Sequence, residues 1–287
     1  MSKIAAVTMV YNEADFLPMW IRHYSRQFGA ENCFVIDHGS DDGSTENLGA
    51  ANRVRIPRSP MDDKRRADFL SEFCNSLLSW FDSVIYTDSD EFLVADPRLY
   101  SSLAELCSRT LADVVTATGL NVVHVPADAP PLDVEAPLLA QRRWGVALAA
   151  ASKPLLTRRR IVWPPGFHSY DGPPVFDGLF NFHLPVADRS IALRRQAKRR
   201  TVNWAVDISP NHSHRVGASQ IEHHINHFST LTRLADTQLD GDCEALRRFQ
   251  DRIRLSANGR DKKLYQIEMN IAETRLWWIP ERFLPCL

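Results

Sequence analysis

The chain predicts an α/β fold, a mostly parallel sheet flanked by helices. Three observations predict it. Short apolar, partly β-branched runs alternate with amphipathic segments four or five times in the first 120 residues, as strands joined by crossover helices do. The runs are continuously apolar, as in strands buried on both faces. Three of them end in polar clusters, Asn12-Glu13, Asp37-His38 and Asp88-Ser89-Asp90. That places all three clusters beyond the carboxyl ends of the strands, where open α/β sheets bind ligands.

The elements follow in order. Residues 3 to 10 form a buried strand that ends at Tyr11. Phe16, Leu17, Trp20, Ile21, Tyr24 and Phe28 then recur near a 3.6-residue spacing, and Gly29 stops the helix. Residues 33 to 36 make a second strand, followed by a polar, turn-rich loop over 37 to 44. Residues 53 to 57 suit a short third strand. Residues 61 to 81 suit a long helix with Phe69, Phe73, Leu77 and Trp80 on its apolar side. A fourth strand over 83 to 87 leads into the acidic group, then a helix over 99 to 109 and a strand over 113 to 118.

Beyond about residue 125 the texture changes. Prolines cluster at 126 to 137 and 164 to 174, as in long loops over a site. Basic runs occupy 158 to 160 and 194 to 200, and from about 202 the chain is histidine-rich and then helical. The expected organisation is a main domain over residues 1 to 200, with a helical extension over 201 to 287 packed on it.

With 44% hydrophobic and 24% charged residues, the 287-residue chain can bury a real core and is not disordered throughout. A net charge of −1 gives no general argument for a nucleic-acid partner. The five cysteines form no Cys-x-x-Cys pair, which argues against a disulfide framework or a zinc ribbon and for a reducing compartment. There is no apolar leader before a cleavage site, and no run near the roughly 18 apolar residues of a membrane span. The expectation is a cytoplasmic protein, with peripheral contact at the inner face of the membrane left open.

The acidic group carries the chemistry. Asp88 and Asp90 sit between a fully apolar strand and Phe92-Leu93-Val94, so acids interrupt sequence that should be buried. Two carboxylates at a strand end supply hard oxygen ligands for Mn²⁺ or Mg²⁺, which share such ligands with substrate phosphates. Gly-x-Gly-x-x-Gly, a Walker-type loop and a Gly-x-Ser-x-Gly elbow are all missing from the sequence. Lys64, Arg65 and Arg66 start the long helix on the same rim, where a guanidinium such as Arg66 meets phosphate oxygens or simply faces water. His183 is a further candidate for metal or phosphate. His212, His214, His223, His224 and His227 are dense but lack His-Glu-x-x-His. Asp171 and Asp177, in a Pro/Gly-rich stretch, are the candidates for a general base. The basic runs suit an anionic acceptor or a membrane surface as well as they suit a solvated face. Trp144, Trp163 and Trp204 suit sugar stacking or the core.

Three segments resemble a family-2-type glycosyltransferase, with the looser pattern of the family-92-like branch. They are Val7-Thr8-Met9-Val10-Tyr11-Asn12-Glu13, then Val35 to Ser44, then Tyr86-Thr87-Asp88-Ser89-Asp90-Glu91-Phe92. The family's usual Asp-Asp-Gly-Ser reads Asp37-His38-Gly39-Ser40 here, so the second acid is replaced. Lys153-Pro154-Leu155 to Gly166-Phe167-His168-Ser169 is similar to the segment that carries Gly-x-His, and Ile225-Asn226-His227-Phe228 is similar to a late Asn-His-Tyr element.

The resemblance implies a GT-A (Rossmann-like) fold and transfer of a sugar from a nucleoside diphosphate, UDP being the expected one, to an unidentified acceptor hydroxyl. A glycan or lipid-linked acceptor is compatible with it. It implies that Tyr11, Asn12 and Glu13 line the nucleotide pocket and that Asp37 meets the base. Asp88, with Ser89 beside it, would serve the ribose or the metal, Asp90 would bind the metal directly, and His168 would be a third ligand or a phosphate contact. A metal-dependent nucleotidyltransferase and a non-catalytic nucleotide-sugar-binding relative are the alternatives. Tyr11-Asn12-Glu13 stands where the first would carry a Gly-rich basic loop.

Overall fold

The first apolar run, Ile4–Val10, is strand β1, near the middle of a six-stranded sheet. The computed structural model describes residues 2–209, 212–234, 239–258 and 264–287. After β1 come α1 (Leu17–Phe28), β2 (Cys33–Asp37), β3 (Asn52–Arg55), α2 (Asp63–Leu77) and β4 (Ser83–Tyr86), each where its hydrophobic pattern puts it. Next are β5 (Glu91–Ala95), α3 (Leu103–Arg109), β6 (Val114–Thr116), β7 (Thr118–Val123), α4 (Leu138–Gln141), β8 (Trp144–Ala147), β9 (Pro154–Thr157) and β10 (Leu179–Val186). The chain closes with α5 (Arg189–Arg200), α6 (Ala218–Thr230), β11 (Thr232–Leu234), α7 (Glu244–Ser256) and β12 (Arg275–Trp278).

The first sheet runs β3-β2-β1-β4-β9-β6. Its first four strands are parallel, and β9 is antiparallel to both of its neighbours. The second sheet runs β11-β12-β8-β7-β10-β5. It is parallel at β7/β10 and β11/β12 and antiparallel elsewhere. The α/β class holds. The expected mostly parallel sheet describes the first half of the chain, and a mixed second sheet is added to it.

The part beyond residue 201 supplies α6 and α7, and it also supplies β11 and β12, which the reading of a helical extension did not include. β12 pairs with β8, and Phe249, Trp277 and Phe283 join the core that holds Phe180 and Phe182. No helix among the described residues is long and apolar enough to cross a membrane.

Helix α1 fixes how the two sheets meet. Pro18 sits in its first turn, and Gly29, at φ +89°, ends it. Its buried face does more than fill volume. Trp20 Nε1 donates to Thr87 Oγ1 at 2.7 Å, at the end of β4. Tyr24 accepts from Leu93 N at 3.0 Å and donates to Glu91 O at 3.2 Å, while His23 Nε2 donates to Leu93 O at 2.9 Å. Two side chains thus satisfy backbone groups on the side of β5 that no strand covers, groups that would be costly to bury unpaired.

The other junction is Gly119 on β7. Its amide donates to Ser152 Oγ and its carbonyl accepts from Leu148 N, so the turn before β9 lies directly on it. A Cβ there would come 2.1 Å from the carbonyl carbon of Ala151.

Gly119→Ala is therefore expected to destabilise the protein by about 2 kcal/mol or more, in the range of overpacked cores. Gly145→Ala, whose Cβ would meet the flexible Leu120 side chain at 3.2 Å, should cost less. Urea denaturation of both variants checks the order. A pH dependence follows from His23, whose burial pushes its pKa from 6.5 down to about 4. Between those values the unfolded chain binds the proton and the folded one does not, so stability falls as pH is lowered through that window. Urea midpoints measured from pH 7 to 4.5 should fall less steeply in His23→Gln.

Candidate active site

The rim is locked where β1 and β2 end. Asn12 takes a left-handed conformation, φ +54°, which asparagine tolerates better than most residues. Its backbone N–H donates to Ser40 Oγ at 3.0 Å. Its side chain exchanges two hydrogen bonds with Asp41, at 2.7 and 2.9 Å. Tyr11 lies under the guanidinium of Arg58, 3.7 Å from its ring centroid. Arg58 Nη1 lies 3.0 Å from His38 Nδ1, and His38 Nε2 meets Ser59 at both its hydroxyl, 3.0 Å away, and its backbone N–H, 3.2 Å away. His38 thus positions the arginine that covers Tyr11. Gly39, at φ +74°, lets the Arg58 backbone approach: a Cβ would stand 2.7 Å from Arg58 N.

Asp37 stands behind this rim. It is fully buried, and its carboxylate accepts from Ser40 N, Thr45 Oγ1, Arg53 and Arg55. Burial opposes its charge, but the Ser40 amide and Arg53 hold its pKa down at about 2. With its oxygens taken and no surface exposed, Asp37 is a strut.

The acidic group lies at the junction of the two sheets. Asp88 accepts from Arg66, from Tyr86 Oη at 2.9 Å and from Lys153 Nζ at 3.3 Å. Lys153 also reaches Glu91 at 2.8 Å. Asp90 accepts from Arg195 at 2.6 Å, with Arg199 at 3.5 Å. Arg195 donates at the same time to Glu13 at 2.7 Å. Ser89 is buried between the two aspartates. Burial would raise both aspartate pKa values. Arg66 and Lys153 hold Asp88 well below the usual carboxylate range, and Arg195, with Arg199, does the same for Asp90. Four carboxylates, of Glu13, Asp88, Asp90 and Glu91, thus face four cations, of Arg66, Lys153, Arg195 and Arg199.

One gap stays open in this array. His183 Nδ1 lies 2.8 Å from Asn121 Oδ1, a carbonyl oxygen that only accepts, so Nδ1 carries the ring proton. Nε2 then presents its lone pair, 3.9 Å from Asp90 Oδ2. Burial lowers the pKa of His183, which keeps the ring neutral at pH 7. Two electron-pair donors face each other with no proton between them, the donor set a cation seeks. Among the described residues no three His, Cys, Asp or Glu side chains form a closed metal cage. An open pair suits a hard dication that takes its remaining oxygens from a ligand.

Of the other predicted residues, His168 lies within electrostatic reach of Lys153, Asp88 and His183, and Asp171 and Asp177 lie elsewhere. His168 follows a strained turn, with Gly166 and Phe167 both at positive φ, and its ring lines a small cavity with Ser152, Tyr170 and Tyr265. Its Nδ1 is buried without a partner among the described residues, and burial pushes its pKa down to about 3. The described contacts do not join it to Asp90. Asp171 is exposed and pairs with both terminal nitrogens of Arg159. Asp177 accepts from Tyr100 Oη at 2.9 Å. Neither aspartate contacts the acidic group. Sequence reasoning did not single out Glu91, Lys153, Arg195 or Arg199 as site residues. The signal for the two arginines was their i, i+4 spacing within the basic run.

No family model and no curated protein matches the chain. Three of the solved structures it is similar to are a mycobacterial protein, a mannosyltransferase and a geranyltransferase. The first is 18% identical, with 57% of each chain covered and a TM-score of 0.33. The second is the mannosyltransferase PcManGT from Pyrobaculum calidifontis in complex with GDP-Man and Mn²⁺, 12% identical over 99% of this chain and 68% of that one, TM-score 0.31. The third is mannose-1-phosphate geranyltransferase from Thermus thermophilus, 10% identical over 78% of this chain and 64% of that one, TM-score 0.31. Likenesses of this size carry no argument about activity.

Arg195→Ala would strand Asp90 and Glu13 without their main counter-charge in a buried setting. It should cost about 3–5 kcal/mol, as expected for breaking a buried pair from one side. A large drop in melting temperature checks this, and Arg194→Ala, on the exposed side of the same helix, is the control that should stay near wild type.

Proposed function

We propose that the chain is a transferase acting on nucleoside-diphosphate sugars, and within that class a GT-A-type glycosyltransferase that uses Mn²⁺ or Mg²⁺. The observation that carries this is the open pair of Asp90 Oδ2 and His183 Nε2 beside an array whose own charges are already matched. A diphosphate arriving there finds no spare positive charge among the four cations, so it needs a dication as its companion. A bound dication neutralises the diphosphate and acts as a Lewis acid toward the leaving group.

The chain's own residues orient this chemistry. Asn121 fixes the tautomer of His183, as hydrogen-bonded partners of ligating histidines do. Arg195 fixes Asp90 between α5 and the end of β1. Arg66 and Lys153 hold Asp88 beside it, which suits Asp88 for the ribose side of the donor. Tyr11, Asn12 and Arg58 form the rim on which we place the nucleotide, with UDP as the expected one. In the transfer, the acceptor hydroxyl oxygen bonds to the anomeric carbon as the bond from that carbon to the diphosphate oxygen breaks, the nucleoside diphosphate leaves, and the hydroxyl proton passes to water.

Calorimetric titration with UDP, with and without Mn²⁺, tests the reading. Wild-type protein should bind UDP with Mn²⁺ and lose at least tenfold in affinity without it. Asp90→Asn and His183→Ala should each remove that metal dependence. Binding of UDP that ignores Mn²⁺, or variants that keep the full Mn²⁺ effect, would overturn it.

A further inference from the structure

Beside the acidic group lies a second cavity, of about 380 Å³, which the donor reading does not use. Arg199, Arg200, Trp204, Asp207, His214 and Arg215 line it. The donor rim of Tyr11, Asn12 and Arg58 does not contribute to its walls.

The cavity is built on fixed supports. Met61, just before α2, bridges its floor: Met61 N donates to Asn203 O at 2.7 Å, and Ala205 N donates to Met61 O at 2.9 Å. Gln196 on α5 donates to the carbonyls of Ser213 and Val216, which ties down the opposite wall. Trp204 is gripped by His212 and His214, whose rings meet it edge to face at 5.0 and 5.2 Å.

Its charge is unbalanced. Three guanidinium groups face one carboxylate, Asp207, whereas the whole chain carries a net charge of −1. Among the described residues neither Arg200 nor Arg215 has a carboxylate partner, although most arginines of this chain have one. Like charges gathered without counter-ions repel, and an anionic ligand removes that cost. Guanidinium groups bind phosphate through paired hydrogen bonds, and an aromatic ring offers apolar area beside them. The volume falls within the range of small-molecule sites, roughly 300–1,000 Å³. The cavity also meets the reaction centre, because Arg199 lines it and lies 3.5 Å from Asp90 Oδ2.

We propose that this cavity is the acceptor subsite and that it takes a phosphate-bearing sugar, with the phosphate on Arg200 and Arg215 and the ring against Trp204. Only the word acceptor rests on the transferase reading; the binding of a sugar phosphate does not.

The test is a calorimetric titration of the full chain, alone and saturated with UDP and Mn²⁺, using a hexose 1-phosphate, the matching methyl hexoside and inorganic phosphate. The hexose 1-phosphate should bind at least tenfold more tightly than either of the others, in both states. The double variant Arg200→Ala, Arg215→Ala should weaken it at least tenfold and leave UDP binding unchanged. Both side chains are exposed and have no carboxylate partner among the described residues, so the fold should survive, and an unchanged melting temperature verifies that. Equal binding of the neutral hexoside or of inorganic phosphate, an unaffected double variant, or displacement by UDP would each overturn the assignment. Failure of UDP to bind at all would overturn the transferase reading alone, because the titration of the UDP-free chain still reports on the cavity.

Discussion

The arrangement depends on Arg195. From α5 it reaches Asp90 with one nitrogen and Glu13 with another, at 2.6 and 2.7 Å. Glu13 follows β1 of the first sheet, and Asp90 precedes β5 of the second. One guanidinium therefore joins the two sheets where their acidic ends would otherwise repel each other. Its fork geometry suits this, since it can face two carboxylates at once without bending. Lys153 does the same on a smaller scale between Asp88 and Glu91. Burying four carboxylates is tolerable only because each has a cation at contact distance. Once they are so held, their geometry is set by the packing of helices and strands and not by solvent.

This explains which parts of the fold and site were legible in the sequence. β1, β2, β4 and the helices between them carry strong patterns, because both faces of those strands are buried. Asp88 and Asp90 were legible for the converse reason, since acids inside apolar sequence need a cause. Their partners were not. Arg195 and Arg199 sit in a basic run that reads as solvated surface, and only the tertiary fold turns one face of α5 onto the acids. The second sheet was hidden because four of its six strands, β8, β10, β11 and β12, come from beyond residue 125, where the strand pattern is weak. Its longest strand, β10, carries Asn181 and His183 in its interior, so polar residues break the apolar run that would have marked it.

Asp37 and His183 show the limit more sharply. Asp37 ends a strand beside the other acids, and position alone suggests ligand contact. What position does not show is that Arg53 and Arg55, two apart on β3, share a face of the neighbouring parallel strand and close on the carboxylate. For the histidines the deciding fact is register. β10 pairs with β7 so that His183 stands opposite Asn121. That pairing sets the ring tautomer and turns the lone pair toward Asp90. His168 has the more suggestive local sequence but no such neighbour. The chemistry of a histidine here follows from the strand beside it.

The balance of charge then separates three tasks that lie close together. The closed set of four acids and four cations is neutral and serves to hold shape. At Asp90 the lone pair of His183 Nε2 adds a donor to a carboxylate that Arg195 and Arg199 already contact, and this is the donor pair to which we assign the cation. The cavity beyond Arg199 has positive charge and little to match it, so it suits an anion. Arg199 belongs to both sides, touching Asp90 and lining the cavity, and both burial and the nearby Arg195 work against its charge. A residue strained in that way is relieved by negative charge on either side. Arg195 keeps its hold on Asp90 at 2.6 Å, so Arg199, 3.5 Å from the same oxygen, is the side chain that borders both sites.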